Sequence, residues 1–321
     1  MEPEPQPSER REESSLAEGG VTGPVPVDIL TADASHYRSE SLWTKSIRKF
    51  ARDPMGIAAL VIVSVFFAIA CGVWAGWIGQ NWSSLQADGY TGMSREHWFG
   101  TNINGQDIYA RTIQGTKTAF EVGLIVAVLS TVIGGVLGAV AGYFDRTIVD
   151  EVIMWLYGCL DAIPFYLFVA AVAFALRDQP YAMHVAMIAT FWSSTCRIVR
   201  GEVIKIKSLE YVQAAKALGV GSMTIIFRHV IPNTFHILLV QGTIAFVSAI
   251  KSEVILTYLG LGVKHGVSWG TMLSESTFEV SAGIFNNFIA ASSFLFLLVI
   301  AFNLFADALQ DALDPKKVTA S

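Results

Sequence analysis

Several stretches of this chain stay apolar for the ~18–20 residues that an α-helix needs to cross a bilayer. That one feature restricts the fold more than any other. The composition agrees: 53% of residues are hydrophobic, only 15% are charged, and mean hydropathy is +0.49. Soluble domains carry roughly 25% charged residues. The expected class is an all-α polytopic membrane protein.

Six spans are expected, near residues 55–78, 120–142, 151–176, 183–200, 234–262 and 284–308. The excess of Lys and Arg in cytoplasmic loops orients them. Inside loops would hold Lys45, Arg48, Lys49, Arg52, Arg146, the run from Arg197 to Arg228, and Lys316 and Lys317. Outside loops would hold Arg95, Arg111, Lys117, Arg177 and Lys264. Both termini then face the cytoplasm. Residues 1–40 are rich in Glu, Pro, Ser and Gly without apolar period and read as a disordered cytoplasmic tail. The following segment, 41–54, carries four cations ahead of the first span and reads as an amphipathic interfacial helix. No signal peptide is evident, so the first span is expected to direct targeting. Residues 55–315 form the membrane domain.

The formal charge of −5 reflects acids in the tail, and there is no basic patch with interleaved aromatics, which argues against nucleic acid as a partner. Cys71, Cys159 and Cys196 sit in or beside apolar runs without ligand spacing and read as small core residues; no metal site is expected. Gly134, Gly138 and Gly142 recur every four residues, a spacing that lets helix backbones approach closely, within this chain or against a partner. A nucleotide-cradling loop is missing, since Gly115-Thr116-Lys117-Thr118 lacks the Gly-Lys adjacency, and no metalloprotease or serine-hydrolase motif occurs. The chain is not expected to be an enzyme.

Ionisable groups inside spans are functional candidates because lipid burial is costly. Asp161 lies in the third span three residues before Pro164, pairing a carboxylate with a kink, and Lys251 and Glu253 interrupt the fifth. Asp161, Pro164 and Glu253 are pathway candidates, facing either a polar cavity or a structural partner on a neighbouring helix. Two residues apart, Lys251 and Glu253 do not share a helix face.

The stretch Glu210–Pro232, EYVQAAKALGVGSMTIIFRHVIP, differs from everything around it. A helix-friendly QAAKAL core with Lys216, Arg228 and His229, set between two spans, reads as a cytoplasmic helix-turn-helix. Gly219 permits a turn with positive φ. Gln213, Ala214 and Ala215 offer a small, close-packing face, and Pro232 marks re-entry into the membrane.

From these residues the chain resembles the C-type permease subunit of oligopeptide/dipeptide ABC importers, over residues 42–316. QAAKALGVGSMTIIFRHVIPN is similar to the EAA loop of that family, HWFGTNINGQDIYARTIQGTKTAFEVGL to its outer FGTD stretch, YLGLGVKHGVSWGTML to its LGLG…SWG segment, and ADALQDALDPKK to its C-terminal motif. Departures are Gln213 for Glu, Asn102 after Thr101, Gly105-Gln106-Asp107 for GRD, and Leu309-Gln310-Asp311 for LRD. The resemblance implies the type I importer permease fold with a coupling helix in the 201–232 loop, where Gln213, Ala214, Ala215, Lys216, Ala217, Gly219, Arg228 and Pro232 would engage an ATPase. It implies a homologous B-type permease, two ABC ATPase subunits that bind ATP and Mg²⁺, an extracytoplasmic binding protein and the lipid bilayer as partners, with no cofactor in this chain. Gly100, Thr101, Asp107, Arg111 and Trp269 would belong to the outer surface that receives the binding protein; Tyr258 and Trp269 also fit interfacial anchors. The rival readings are an ion-gradient-driven secondary transporter, a scaffold or sensor without transport, and an importer permease for nickel or glutathione.

Overall fold

The structure is a computed structural model that describes residues 42–176, 179, 181–262 and 266–313. The expected tail, 1–40, lies outside the described residues, as do Arg177, Lys264, His265, Lys316 and Lys317. The described residues from Ser46 onward pack as one compact unit.

Helices follow in the order α1 (Leu42–Phe50), α2 (Pro54–Trp74), α3 (Ile108–Tyr143), α4 (Ile148–Asp161), α5 (Phe165–Ala175), α6 (Ala182–Lys207), α7 (Glu210–Ala217), α8 (Ser222–Ile225), α9 (Ile231–Tyr258), α10 (Trp269–Ser281) and α11 (Asn286–Leu313). Among the described residues the only β pairing is two isolated bridges in the 85–107 loop. The fold is all-α.

Local chemistry sets several boundaries. Asp53 caps α2 by accepting from the Met55 amide, and Pro54 opens the helix where its missing N–H costs nothing. Asp107 caps α3 in the same way through the Ala110 amide. Between α8 and α9 the chain stays helical through a π-type turn, Ile226–Val230. Pro232 follows directly; its ring would press on the carbonyl four residues back, and the widened turn makes room for it.

α3 is the axis of the bundle. Its 36 residues extend about 54 Å at 1.5 Å per residue, well beyond a ~30 Å hydrocarbon layer. Glycines set its contacts. A Cβ on Gly134 would lie 2.4 Å from the Trp192 carbonyl oxygen, one on Gly138 2.5 Å from that of Cys196, and one on Gly142 2.7 Å from that of Arg200. The 134/138/142 stripe therefore serves packing within the chain, against α6. Gly123 and Gly135 receive Phe246 and Leu238 of α9 in turn.

These contacts also fix direction. Later residues of α3 meet later residues of α6, so the two run parallel, whereas α3 and α9 run antiparallel. A chain that leaves α3 at one end of the bundle must re-enter α6 at the other. The segment between them, α4 and α5, makes that return. The span expected at 151–176 is broken rather than continuous: α4 and α5 meet at 92°. Pro164, the N-cap of α5, leaves the break where its ring cannot continue α4.

By length and composition four helices qualify as spans (α2, α3, α8–α9 taken together, and α11), or five if the bent pair counts as one. The expected fourth span, 183–200, falls on α6. Arg197, Arg200, Glu202, Lys205 and Lys207 lower the apolarity of its second half. The second span starts earlier than expected, so Arg111 and Lys117 are residues of α3 rather than of a loop.

Phe66, Phe120, Phe246, Trp269 and Phe302 form the heart of the largest apolar cluster, with Phe246 and Phe302 stacked at 4.1 Å between centroids. At one end of the bundle the last residues of α1 meet the end of α11: the Lys49 ammonium donates to the Asp311 carbonyl at 2.8 Å and Phe50 meets Phe305 edge-on. Of the cysteines only Cys196 is buried; Cys71 and Cys159 are exposed, against expectation, on outward faces of α2 and α4.

Candidate functional site

The 201–232 stretch forms a knob at the end of the bundle where α3 and α6 stop. α7 is eight residues long, and Gly219 then turns the chain with φ +80° and nothing within 4 Å of where a Cβ would stand. That conformation costs most side chains roughly 1–2 kcal/mol, and glycine avoids it. Val212, Ile225, Ile226 and Val230 anchor the knob to Ala139, Val199 and Val203. Gln213 donates from Nε2 to the Lys207 carbonyl at 2.7 Å, tying α7 to the end of α6. Lys207 pairs with Asp145 and donates to the Tyr143 carbonyl at 3.2 Å, linking the knob to the end of α3. Burial, and then the charge of Lys216, hold the Lys207 ammonium below its ordinary pKa; burial raises the Tyr211 phenol.

The outer face of the knob carries what the sequence reading had not singled out. Leu218 is 85% exposed, and Met223 and Phe227 are also bare, beside exposed Gln213, Ala214, Lys216, Ala217, Arg228 and Pro232. Ala215 is half-buried against the anchor. A small-residue helix flanked by large apolar side chains and two cations is an exposed apolar patch, the kind of surface that marks contact with a protein or a membrane. Apolar residues interleaved with the charges of this loop were the available signal.

At the opposite end the 81–107 loop, α10 and the start of α3 form a cap. Several of its polar groups pair with one another. Arg111, 3% exposed, grips Glu275 with Nη2 at 2.8 and 2.6 Å from the two carboxylate oxygens, and its Nη1 reaches Gln106. The Ile103 amide donates to Glu279 at 3.1 Å, and His97 meets Asp107 at 2.8 Å. Thr101 donates to the Asp88 carbonyl and accepts from the Thr91 amide. Trp269, 1% exposed, donates from its indole to the Thr112 carbonyl at 3.0 Å, and its ring fills the space left by Gly115.

These contacts correct the sequence reading. Gly100, Thr101, Asp107, Arg111 and Trp269 are all buried. They are packed inside the cap rather than on its surface, and the Trp269 ring is enclosed with them. Large apolar side chains exposed on the cap include Leu85, Met93, Trp98, Ile103 and Phe278. Helix α10 was not anticipated; its signature was Ser268, which caps it through the Thr271 amide, followed by Glu275 and Glu279 one turn apart.

The pathway candidates separate. Asp161 ends α4 at the 92° break, exposed and without a hydrogen bond or ion pair to any described residue, and Pro164 is exposed beside it. Glu253 is 1% exposed and accepts from Thr257 at 2.7 Å one turn away on its own helix. Its carboxylate is held inside the bundle by that contact. At the start of α4, Asp150 holds Arg200 of α6 with contacts of 2.6 and 2.8 Å, fastening the broken segment to the helix that leads into the knob.

A helical bundle with span-length apolar helices, a broken crossing and an apolar knob beyond its helix ends defines a polytopic membrane protein. Comparison with known proteins gives the family. Residues 134–319 match the model described as binding-protein-dependent transport system inner membrane component, and the chain belongs to that family. It is 33% identical over 297 residues to the oligopeptide transport system permease protein OppC of Bacillus subtilis, covering 91% of this chain and 96% of that protein. It is 36% identical over 224 residues to the dipeptide transport system permease protein DppC of the same species, 70% of each. The glutathione transport system permease protein GsiD of Pectobacterium atrosepticum is 32% identical over 283 residues, 85% of this chain and 91% of that one. The chain is thus a permease subunit of the inner membrane, a transport component rather than an enzyme.

Proposed function

We propose that this chain is one half of the translocation pathway of an ATP-driven peptide importer. It pairs with a homologous B-type permease, rides on two ABC ATPases that bind ATP and Mg²⁺, and receives oligo- or dipeptides from an extracytoplasmic binding protein. The six passes are α2, α3, the α4–α5 pair, α6, α8–α9 and α11, with both termini and the knob in the cytoplasm and the cap outside. The observation that carries the ATPase reading is the bare Leu218, Met223 and Phe227 around the Gly219 turn. A knob exposed to water would not keep three large apolar side chains uncovered without a protein partner. Gln213, Ala214 and Ala217 let that partner approach closely, and Lys216 and Arg228 set the charge it meets. Movement imposed on the knob reaches the bundle through Gln213, Lys207 and Asp145, and alternates the pathway between its two openings. The peptide reading rests on the names of the relatives.

The test is purification of the complex from native membranes through a tag on this chain. The wild-type chain brings down a second permease and P-loop ATPases; Leu218→Asp keeps the permease and loses the ATPases. Recovery of the chain alone, even after crosslinking at Ala217, overturns the docking reading and favours an ion-gradient-driven transporter. Uptake of labelled dipeptide, pentapeptide, glutathione and Ni²⁺ by the same complex in vesicles separates the substrates.

A further inference from the structure

Lys251 lies on α9 about 10 Å short of the helix end at Tyr258, at 1.5 Å per residue. It is exposed and makes no hydrogen bond or ion pair with any described residue. An ammonium at this depth against lipid tails costs several kcal/mol, so the face that presents it meets something else. It lines an open cavity of about 550 Å³ together with Ser292, Ser293, Leu295, Phe296 and Val299 of α11. A second cavity of about 570 Å³ adjoins the outer ends of the same helices and is lined by Ile255, Tyr258, Thr277 and Phe288. Lys251, Ile255 and Tyr258 fall one turn apart on α9, and Phe288, Ser292 and Phe296 one turn apart on α11. The two cavities therefore belong to one trough that descends from the cap end between α9 and α11. Its walls are largely apolar; the inner cavity gathers one cation and two hydroxyls at one depth, and the outer one carries only the hydroxyls of Tyr258, Ser276, Thr277 and Ser281.

We propose that Lys251, with Ser292 and Ser293, is a carboxylate-binding step on the translocation pathway that holds the C-terminal carboxylate of the peptide in transit. The proposal rests on the peptide reading above. An ammonium and two hydroxyls suit a carboxylate, which accepts hydrogen bonds at both oxygens. The apolar walls suit peptide side chains of varied shape. Glu253, two residues on, is buried on another face of α9 and does not neutralise Lys251. No other described acid lines the trough. A cation left unpaired in this way is available to a ligand that arrives and leaves.

The test uses the whole complex in proteoliposomes, with a tripeptide and its C-terminal amide as probes, each supplied at saturation of the binding protein. Lys251→Met is expected to lower uptake of the free acid about tenfold, the scale of one lost hydrogen bond to a charged group, while uptake of the amide and basal ATP hydrolysis stay at wild-type level. Lys251→Arg, which keeps the charge, retains most of the uptake, and Ser292→Ala gives a smaller loss confined to the free acid. Equal uptake of the free acid by wild type and Lys251→Met overturns the site while leaving the peptide reading intact. Loss of the partner permease from the purified Lys251→Met complex assigns the lysine to the subunit interface and also overturns it. A wild-type complex that imports no peptide at all removes both readings.

Discussion

Gly138 and Cys196 hold α3 and α6 together at backbone distance: a Cβ on Gly138 would stand 2.5 Å from the Cys196 carbonyl oxygen and 3.1 Å from its Cα. A carbonyl within a helix cannot rotate aside as a flexible side chain can. Gly138→Ala is therefore expected to push the helices apart and cost about 1–3 kcal/mol, in the range for overpacked cores. Gly158→Ala is the control, because that helical glycine has nothing within 4 Å of a new Cβ, and the change should be neutral or slightly stabilising. Thermal unfolding of the detergent-purified chain distinguishes the two. Equal melting temperatures would show that the stripe does not set the contact.

Arg111 and Glu275 make the second prediction. Removing the carboxylate charge with Glu275→Gln leaves a nearly buried guanidinium short of its partner and should destabilise the cap by roughly 1–3 kcal/mol, discounted because Glu275 retains some water contact. The paired change Arg111→Met with Glu275→Leu should recover much of that loss, since an apolar pair carries no desolvation cost. Hydrogen exchange over residues 81–107 reads the effect directly. Unchanged protection in Glu275→Gln would mean that Gln106 alone suffices to hold the arginine.

Gly219 separates folding from coupling. Gly219→Val forces a β-branched residue to φ +80° and should misplace α7 against α8 at a cost of about 1–2 kcal/mol. The knob lies beyond the main core, so the bundle should assemble normally while binding-protein-stimulated ATP hydrolysis falls severalfold. Gly219→Asn should be milder, because asparagine tolerates the left-handed region. A fully coupled Gly219→Val complex would argue against this turn as the transmission point.

Asp161 stands unpaired at the break between α4 and α5. Asp161→Ala removes no hydrogen bond or ion pair to a described residue, so assembly and melting temperature should not change. Peptide uptake should fall if the carboxylate faces the pathway. Uptake equal to wild type would refute that role.

Much of this was legible in the chain itself. Span-length apolar runs fixed an all-α membrane bundle, because a bilayer demands internally bonded backbone. Gly219 announced its turn, since only a residue without Cβ takes that conformation freely, and Pro164 announced a break. The sequence could not say how far the chain turns at Pro164. The 92° angle depends on how α4 and α5 pack against α3 and α6, and α6 lies beyond the segment where the break is written.

Burial was the other quantity that only tertiary structure decided. Arg111 and Trp269 look like surface residues in a polar, glycine-rich stretch, yet each is enclosed by a partner far along the chain: Glu275 for the arginine, Thr112 and Gly115 for the tryptophan. Glu253 and Lys251 look alike as charges interrupting one span. The helix rotation that buries the carboxylate against Thr257 leaves the ammonium in an open trough beside Ser292. A sequence states which groups are costly to bury, because that cost belongs to the residue. Which of them a fold encloses depends on the helix faces that meet, and those are settled by close approaches such as Gly138 against Cys196, between residues distant in sequence.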